Sequence, residues 1–174
     1  MNKTLAVALI VLGAPCMALA DPPKTLHVVQ SVVIKAPVDK VWGASKDFDG
    51  LARWHPALAQ DELVKGSNNT LGAVRALSLK GGGTIKEELT AFDEATHSFT
   101  YRILESPLPV SAYSATFTLK PGKGNTTVIR WSARFKRKNP ADNPPDDQTD
   151  EAAKKVITGI FSSGLANLKK QLEG

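Results

Sequence analysis

Apolar residues in the last part of the chain recur at Ala153, Val156, Ile157, Ile160, Phe161, Gly164, Leu165, Leu168 and Leu172, in steps of three and four. That spacing lays them along one stripe of an α-helix over 151–172, about 33 Å long, and leaves Lys154, Lys155, Thr158, Ser162, Lys169 and Lys170 on the other side. The preceding segments follow a period of two instead. Stretches 26–35, 58–65, 71–80, 84–93, 98–104, 112–120 and 126–136 alternate or are rich in β-branched residues, and Gly, Pro and Asn clusters separate them. Between the first two, 38–47 and 48–54 read as short helices, stopped by Pro56. Seven strands and one long amphipathic helix predict an α+β domain, because the helix can bury its stripe only against the sheet.

Alternation also predicts what faces inward. Tyr113, Ala115, Phe117 and Leu119 share a face, as do Ile129, Trp131, Ala133 and Phe135. In the hairpin around Gly81-Gly82-Gly83, Glu87 lies with Ile85 and Leu89, and Arg75 with Leu71, Leu77 and Leu79. A three-residue Gly81–Gly83 loop sets Leu77 opposite Glu87 and Arg75 opposite Leu89. Arg75 and Glu87 then sit diagonally, about 7 Å apart at the backbone. An apolar inner surface thus carries one charge pair, in which Arg75 keeps Glu87 ionised and lowers its pKa.

The chain has 174 residues, which suits one domain, but its first twenty read as an export signal. Lys3 supplies the positive start, Leu5 to Leu12 an apolar core too short to span a membrane, and Ala18-Leu19-Ala20 the cleavage site. The expected domain is 21–174, periplasmic and without a disulfide, since Cys16 is the single cysteine. Loss of Lys3 takes the formal charge from +5 to +4. A basic exported protein suits acidic partners, and the residues expected to meet one are Arg134, Lys136, Arg137 and Lys138. No aromatic series interleaves with the lysines, which argues against nucleic acid.

Candidate chemistry is sparse. His27, His55 and His97 stand on separate elements without partners at ligand spacing, so no metal site is expected. No Gly-x-Ser-x-Gly elbow is present, no glycine-rich phosphate loop precedes a helix, and no cofactor is implied. His55, between Trp54 and Pro56, reads as a surface residue at a helix end. Glu87 with Tyr113 is the remaining place for acid–base work.

The runs 33–42 (VIKAPVDKVW), Asp47-Phe48 and Trp54-His55-Pro56 resemble the opening of the START-like superfamily, also called SRPBCC or polyketide cyclase/dehydrase-like. Gly72-Ala73-Val74-Arg75, Glu87-Glu88-Leu89-Thr90, Asp93, Tyr101 and the final helix continue the likeness. The resemblance implies a helix-grip fold, a curved seven-stranded antiparallel sheet wrapped around the C-terminal helix with an apolar cavity between them. It also implies that Arg75, Glu87, Tyr113, Phe117, Trp131 and Phe161 line that cavity. By the same resemblance, Glu87 and Tyr113 match positions that contact a hormone carboxylate or its waters in plant receptors of the superfamily. The expected role is binding of a small apolar ligand, a partner protein, or both. An exported basic member of this size is also similar to the periplasmic accessory proteins of bacterial methanol oxidation, which suggests an acidic redox partner. A cyclase, dehydratase or hydrolase using the same cavity is the alternative.

Overall fold

The computed structural model of the protein describes residues 24–174, so the expected export signal lies outside the described residues. The chain forms β1 (Leu26–Ile34), α1 (Val38–Ser45), a 3-10 turn (Leu51–Arg53), β2 (Leu58–Lys65), β3 (Val74–Leu79), β4 (Thr84–Asp93), β5 (Ser98–Glu105), β6 (Val110–Pro121), β7 (Thr127–Arg137), a 3-10 turn (Asp146–Gln148) and α2 (Asp150–Glu173). The seven strands make one antiparallel sheet in the order β1-β7-β6-β5-β4-β3-β2. Consecutive strands from β2 to β7 are neighbours, and β1 joins beside β7. The expected helix-grip architecture is the one observed. Among the described residues no helix is long and apolar enough to cross a membrane.

Helix α2 begins where its capping chemistry dictates. The Thr149 side chain accepts the Ala152 N–H at 3.1 Å, and Asp150 and Glu151 in the first turn oppose the helix dipole. Its buried stripe is Ala153, Ile157, Phe161, Gly164, Leu165 and Leu168. Its far end is tied to β1 and the turn after it: Lys169 Nζ donates to the Val33 carbonyl at 2.6 Å, and the Lys35 N–H to Glu173 Oε1 at 2.6 Å. The Trp131 and Phe161 rings stack at 4.3 Å between centroids, fixing the middle of the helix against β7.

Three sequence expectations change. The second helix shrinks to the 3-10 turn Leu51–Arg53, although Phe48, Leu51 and Trp54 are all buried as expected. Strand β3 starts at Val74, since Gly72 with φ of 80° turns the chain there and leaves Leu71 64% exposed. The β3–β4 turn centres on Gly81 instead of Gly82. Arg75 pairs with Glu87, Leu77 with Ile85 and Ser78 with Thr84, and the Leu79 N–H closes on the Gly83 carbonyl at 3.0 Å. Gly82 and Gly83 take the left-handed φ values, 92° and 91°, that finish the turn. Moving the centre by one residue slides the pairing by two, so the inward faces survive while Arg75 and Glu87 become direct partners.

Strand β2 ends the sheet on the side away from β1, and its pairing with β3 shifts register twice, between Leu58 and Gln60 and between Leu63 and Lys65. The core is one continuous body of side chains between the concave sheet face, α1, the 51–58 segment and α2.

Candidate functional site

Within that core lies a cavity of about 50 Å³. A cavity of roughly 150 Å³ is needed to hold a benzene-sized guest, so the space as it stands takes only a molecule of a few atoms. Its floor is Trp131 and Tyr113 from the sheet, its helix wall is Ile157 and Phe161, and Leu51, His55 and Leu58 close a third side. Toward solvent it is bounded by Ala57, Leu79, Ile103, Leu108 and Ile160, apolar side chains that are partly or largely exposed. The β3–β4 turn and the loop after β5 meet above it, where a Cβ on Gly83 would lie 3.2 Å from Pro107 Cγ.

The polar groups of the site form a buried cluster at one end. Arg75, 2% exposed, donates from Nε and Nη2 to Glu87 Oε2 at 2.9 and 2.6 Å. Its Nη1 donates to the Phe48 carbonyl at 2.6 Å and stands 3.7 Å from Asp61 Oδ2. The guanidinium lies over the Phe48 ring, 4.3 Å from the centroid. Asp61 Oδ2 accepts the Leu51 N–H at 2.8 Å, which joins β2 to the 3-10 turn. Asp61 Oδ1 has no hydrogen-bond partner among the described residues. Burial pushes the Asp61 carboxyl up to about 6 against the pull of Arg75.

Glu87 departs from its expected electrostatics. Full burial raises its pKa, and Arg75 offsets only part of that effect, because a carboxylate withdrawn from water loses more than one ion pair returns. Its side chain lines the cavity while Arg75 stands behind it, against Phe48 and Tyr101.

Two tyrosines share this end. The Trp131 Nε1–H donates to the Tyr101 hydroxyl at 2.9 Å. Tyr113 keeps the inward alternation of Ala115 and Phe117, and a β-bulge beside it, where β6 slips register against β7 between Ser111 and Ser114 and Ala112 takes φ of 47°, brings Val110 to the same face. Burial, first of all, holds both phenols well above their ordinary pKa, so both are protonated donors.

His55 is buried, 3% exposed, and not on the surface as its position between Trp54 and Pro56 suggests. Gly164 on α2 makes room for it: a Cβ there would stand 2.6 Å from His55 Cδ2 and 3.2 Å from Trp54 Cζ3. In that notch Nε2–H donates to the Ile160 carbonyl at 3.0 Å, and Nδ1 accepts the Ala57 N–H at 3.3 Å. Asn167 Nδ2 donates to the Trp54 carbonyl at 2.8 Å, so the helix grips this segment through two of its residues' polar groups. Burial lowers the His55 pKa and favours the neutral ring these bonds require.

Four of the six expected cavity residues, Glu87, Tyr113, Trp131 and Phe161, line the space. Arg75 supports Glu87 from behind, and Phe117 packs edge-on behind Trp131, 5.4 Å between centroids. Sequence reasoning missed Asp61 and the buried setting of His55. Tyr101 was not among the expected cavity residues either, although the alternation of Phe99, Tyr101 and Ile103 carries the signal.

The basic end of β7 lies away from the cavity, and its four residues differ. Arg134 and Lys136 point from the outer face, as Ala133 and Phe135 point in. Arg137 is built into the structure, bonding Asp150 Oδ1 at 3.2 Å and the Asn139 and Ala141 carbonyls at 2.8 and 2.7 Å. Lys138 Nζ donates to the Ser106 carbonyl at 3.0 Å. Among the described residues no group of three or more His, Cys, Asp or Glu is placed to hold a metal ion.

Residues 25–173 match the family described as polyketide cyclase / dehydrase and lipid transport. Among solved structures, the protein XoxI from Bacillus cereus is 31% identical, with 84% of this chain and 94% of that one covered and a TM-score of 0.73. A protein from Nitrosospira multiformis is 23% identical, covering 84% and 96%, with a TM-score of 0.72. The ginseng major latex-like protein 151 from Panax ginseng is 18% identical, covering 86% and 99%, with a TM-score of 0.68. The last two share the fold.

Proposed function

Because the chain belongs to the polyketide cyclase / dehydrase and lipid transport family, we propose that it binds one small molecule with an apolar body between the concave sheet face and α2. The observation that carries this reading is the cavity itself, walled by Trp131, Phe161 and Ile157 and bordered toward solvent by partly exposed Leu79, Leu108 and Ile160. A guest larger than about 50 Å³ enters by parting the β3–β4 turn from the loop after β5, which touch without a strand pairing between them. Native mass spectrometry with a panel of short lipophilic molecules tests the proposal. Adducts are expected, and Tyr113→Ala should change their pattern; absence of uptake across the panel overturns it.

The finer role we propose is that of an exported periplasmic accessory to a dehydrogenase–cytochrome pair. It draws on the signal-like first twenty residues and on the outward Arg134 and Lys136. An electrostatic encounter of this kind is screened by salt, with a Debye length near 8 Å at physiological strength. Stimulation of electron transfer should therefore fade by a few hundred millimolar salt (roughly where that length nears 5 Å) and weaken in Arg134→Glu and Lys136→Glu. Indifference to both changes refutes it. A second reading, proton transfer to or from a bound substrate, rests on the raised Glu87 carboxyl in the cavity wall. Turnover abolished by Glu87→Gln with binding retained would select it.

A further inference from the structure

We infer that the cavity selects a ligand whose apolar body ends in a hydrogen-bond donor, a hydroxyl or a protonated amine, and that it rejects carboxylates. The inference rests on the cavity-binding proposal and adds the chemistry of the ligand's polar end. It follows from which polar atoms are already committed.

Both hydrogen bonds from Arg75 to Glu87 end on Oε2, at 2.9 and 2.6 Å, and no protein donor among the described residues reaches Oε1. Glu87 is 5% exposed and lines the cavity. A carboxylate oxygen with free lone pairs at the wall of a largely apolar cavity is a strong acceptor, so a guest that offers it an O–H or N–H gains more than its apolar contacts alone. The cationic side chain nearest to it cannot serve a guest. Arg75 is spent on Glu87 and the Phe48 carbonyl, lies against the Phe48 ring, and takes no part in the cavity wall.

The other polar groups of the wall are neutral: the Tyr101 and Tyr113 hydroxyls, which accept as well as they donate, the His55 ring and the Trp131 indole. Both His55 nitrogens are satisfied by backbone groups of Ile160 and Ala57, so the ring presents only carbon to the cavity. The Trp131 indole N–H is taken by the Tyr101 hydroxyl. A carboxylate guest would thus meet one carboxylate and no free cation in a space of low dielectric, where like charges repel strongly. A positional likeness to receptors that bind a hormone carboxylate does not carry its ligand chemistry to this chain.

Four probes of nearly equal size separate the terms: hexan-1-ol, hexylamine, hexanoate and methyl pentyl ether, titrated at pH 7.5 with tryptophan fluorescence and calorimetry. Expected is binding of the alcohol or the amine at least tenfold tighter than of the ether and of hexanoate. Which donor leads tells a neutral hydroxyl ligand from a cationic amine. Hexanoate equal to the donors, or the ether equal to the alcohol, overturns the inference and leaves cavity binding standing. Failure of all four, ether included, overturns cavity binding and the inference with it. The ranking is read on the unaltered protein and needs no variant to fold. Glu87→Gln adds a second readout, in which the gap between hexylamine and hexanoate should shrink at least tenfold; an unchanged gap counts against the inference.

Discussion

Arg75 and Glu87 face each other directly across β3 and β4, and both are buried. Removing one leaves the other charged and buried, so Arg75→Ala or Glu87→Ala should each cost about 3–5 kcal/mol of stability in urea unfolding. The double variant should cost less than the sum, and additive small losses would mean the pair is not coupled. Asp61 gives a pH signature of its own. Its folded pKa near 6 exceeds the ordinary 3.8, so between those values the folded state holds a proton that the unfolded state has released. Stability contributed at Asp61 therefore falls as pH rises through that window, by about 3 kcal/mol. His55 acts in the opposite sense, since its lowered pKa makes stability rise with pH toward 6.5. Asp61→Asn removes only the first effect. Its stability relative to the parent should climb by that amount between pH 4 and pH 7, and a constant difference would show that Asp61 titrates normally. The inward position of Arg75 and Glu87 could be read from alternation because Leu77 and Leu79 shared the face of one, and Ile85 and Leu89 that of the other. Asp61 could not: the register shift between Leu58 and Gln60 puts Leu58 and Asp61 on one side at an odd spacing. His55 escaped because the notch that receives it is made by a glycine 109 positions away, on α2.

At the scale of elements, α2 carries two glycines with opposite consequences. Gly159 has no atom within 4 Å of where a Cβ would stand, so Gly159→Ala should stabilise the protein by about 1 kcal/mol through helix propensity alone. Gly164→Ala gains the same propensity but drives a methyl group to 2.6 Å from a ring held by two hydrogen bonds. Overpacking of that kind costs roughly 1–3 kcal/mol, and the net change should be destabilising. Urea midpoints moving in the same direction for both variants would contradict the close approach of His55. The seven strands and the long helix were legible in order because each holds its period over many residues. Glycine runs hide turn centres, since any of three adjacent glycines can accept a left-handed φ; Gly81–Gly83 shows the resulting ambiguity, which only pairing across both strands resolves.

Across the whole molecule, one core joins every element, and the three tryptophans sit in it at 3, 3 and 2% exposure for Trp42, Trp54 and Trp131. Unfolding should be a single cooperative event, in which tryptophan fluorescence and far-ultraviolet circular dichroism trace the same urea curve. Fluorescence moving first would mean the aromatic centre opens before the sheet does. The two borders of that sheet are treated differently. The end of β1 is tied to α2 through Lys169 and Glu173, whereas β2 borders the sheet with no further strand beyond it among the described residues. An open border of this kind can recruit the same border of another molecule and grow into aggregates. Here the strand is broken twice in register, carries Glu62 and Lys65 outward, and turns the Asp61 carboxyl inward, so a second chain laid alongside would find neither an even ladder nor an uncharged face. The buried acid that weakens the folded state above pH 6 thereby helps keep concentrated protein from polymerising through its sheet.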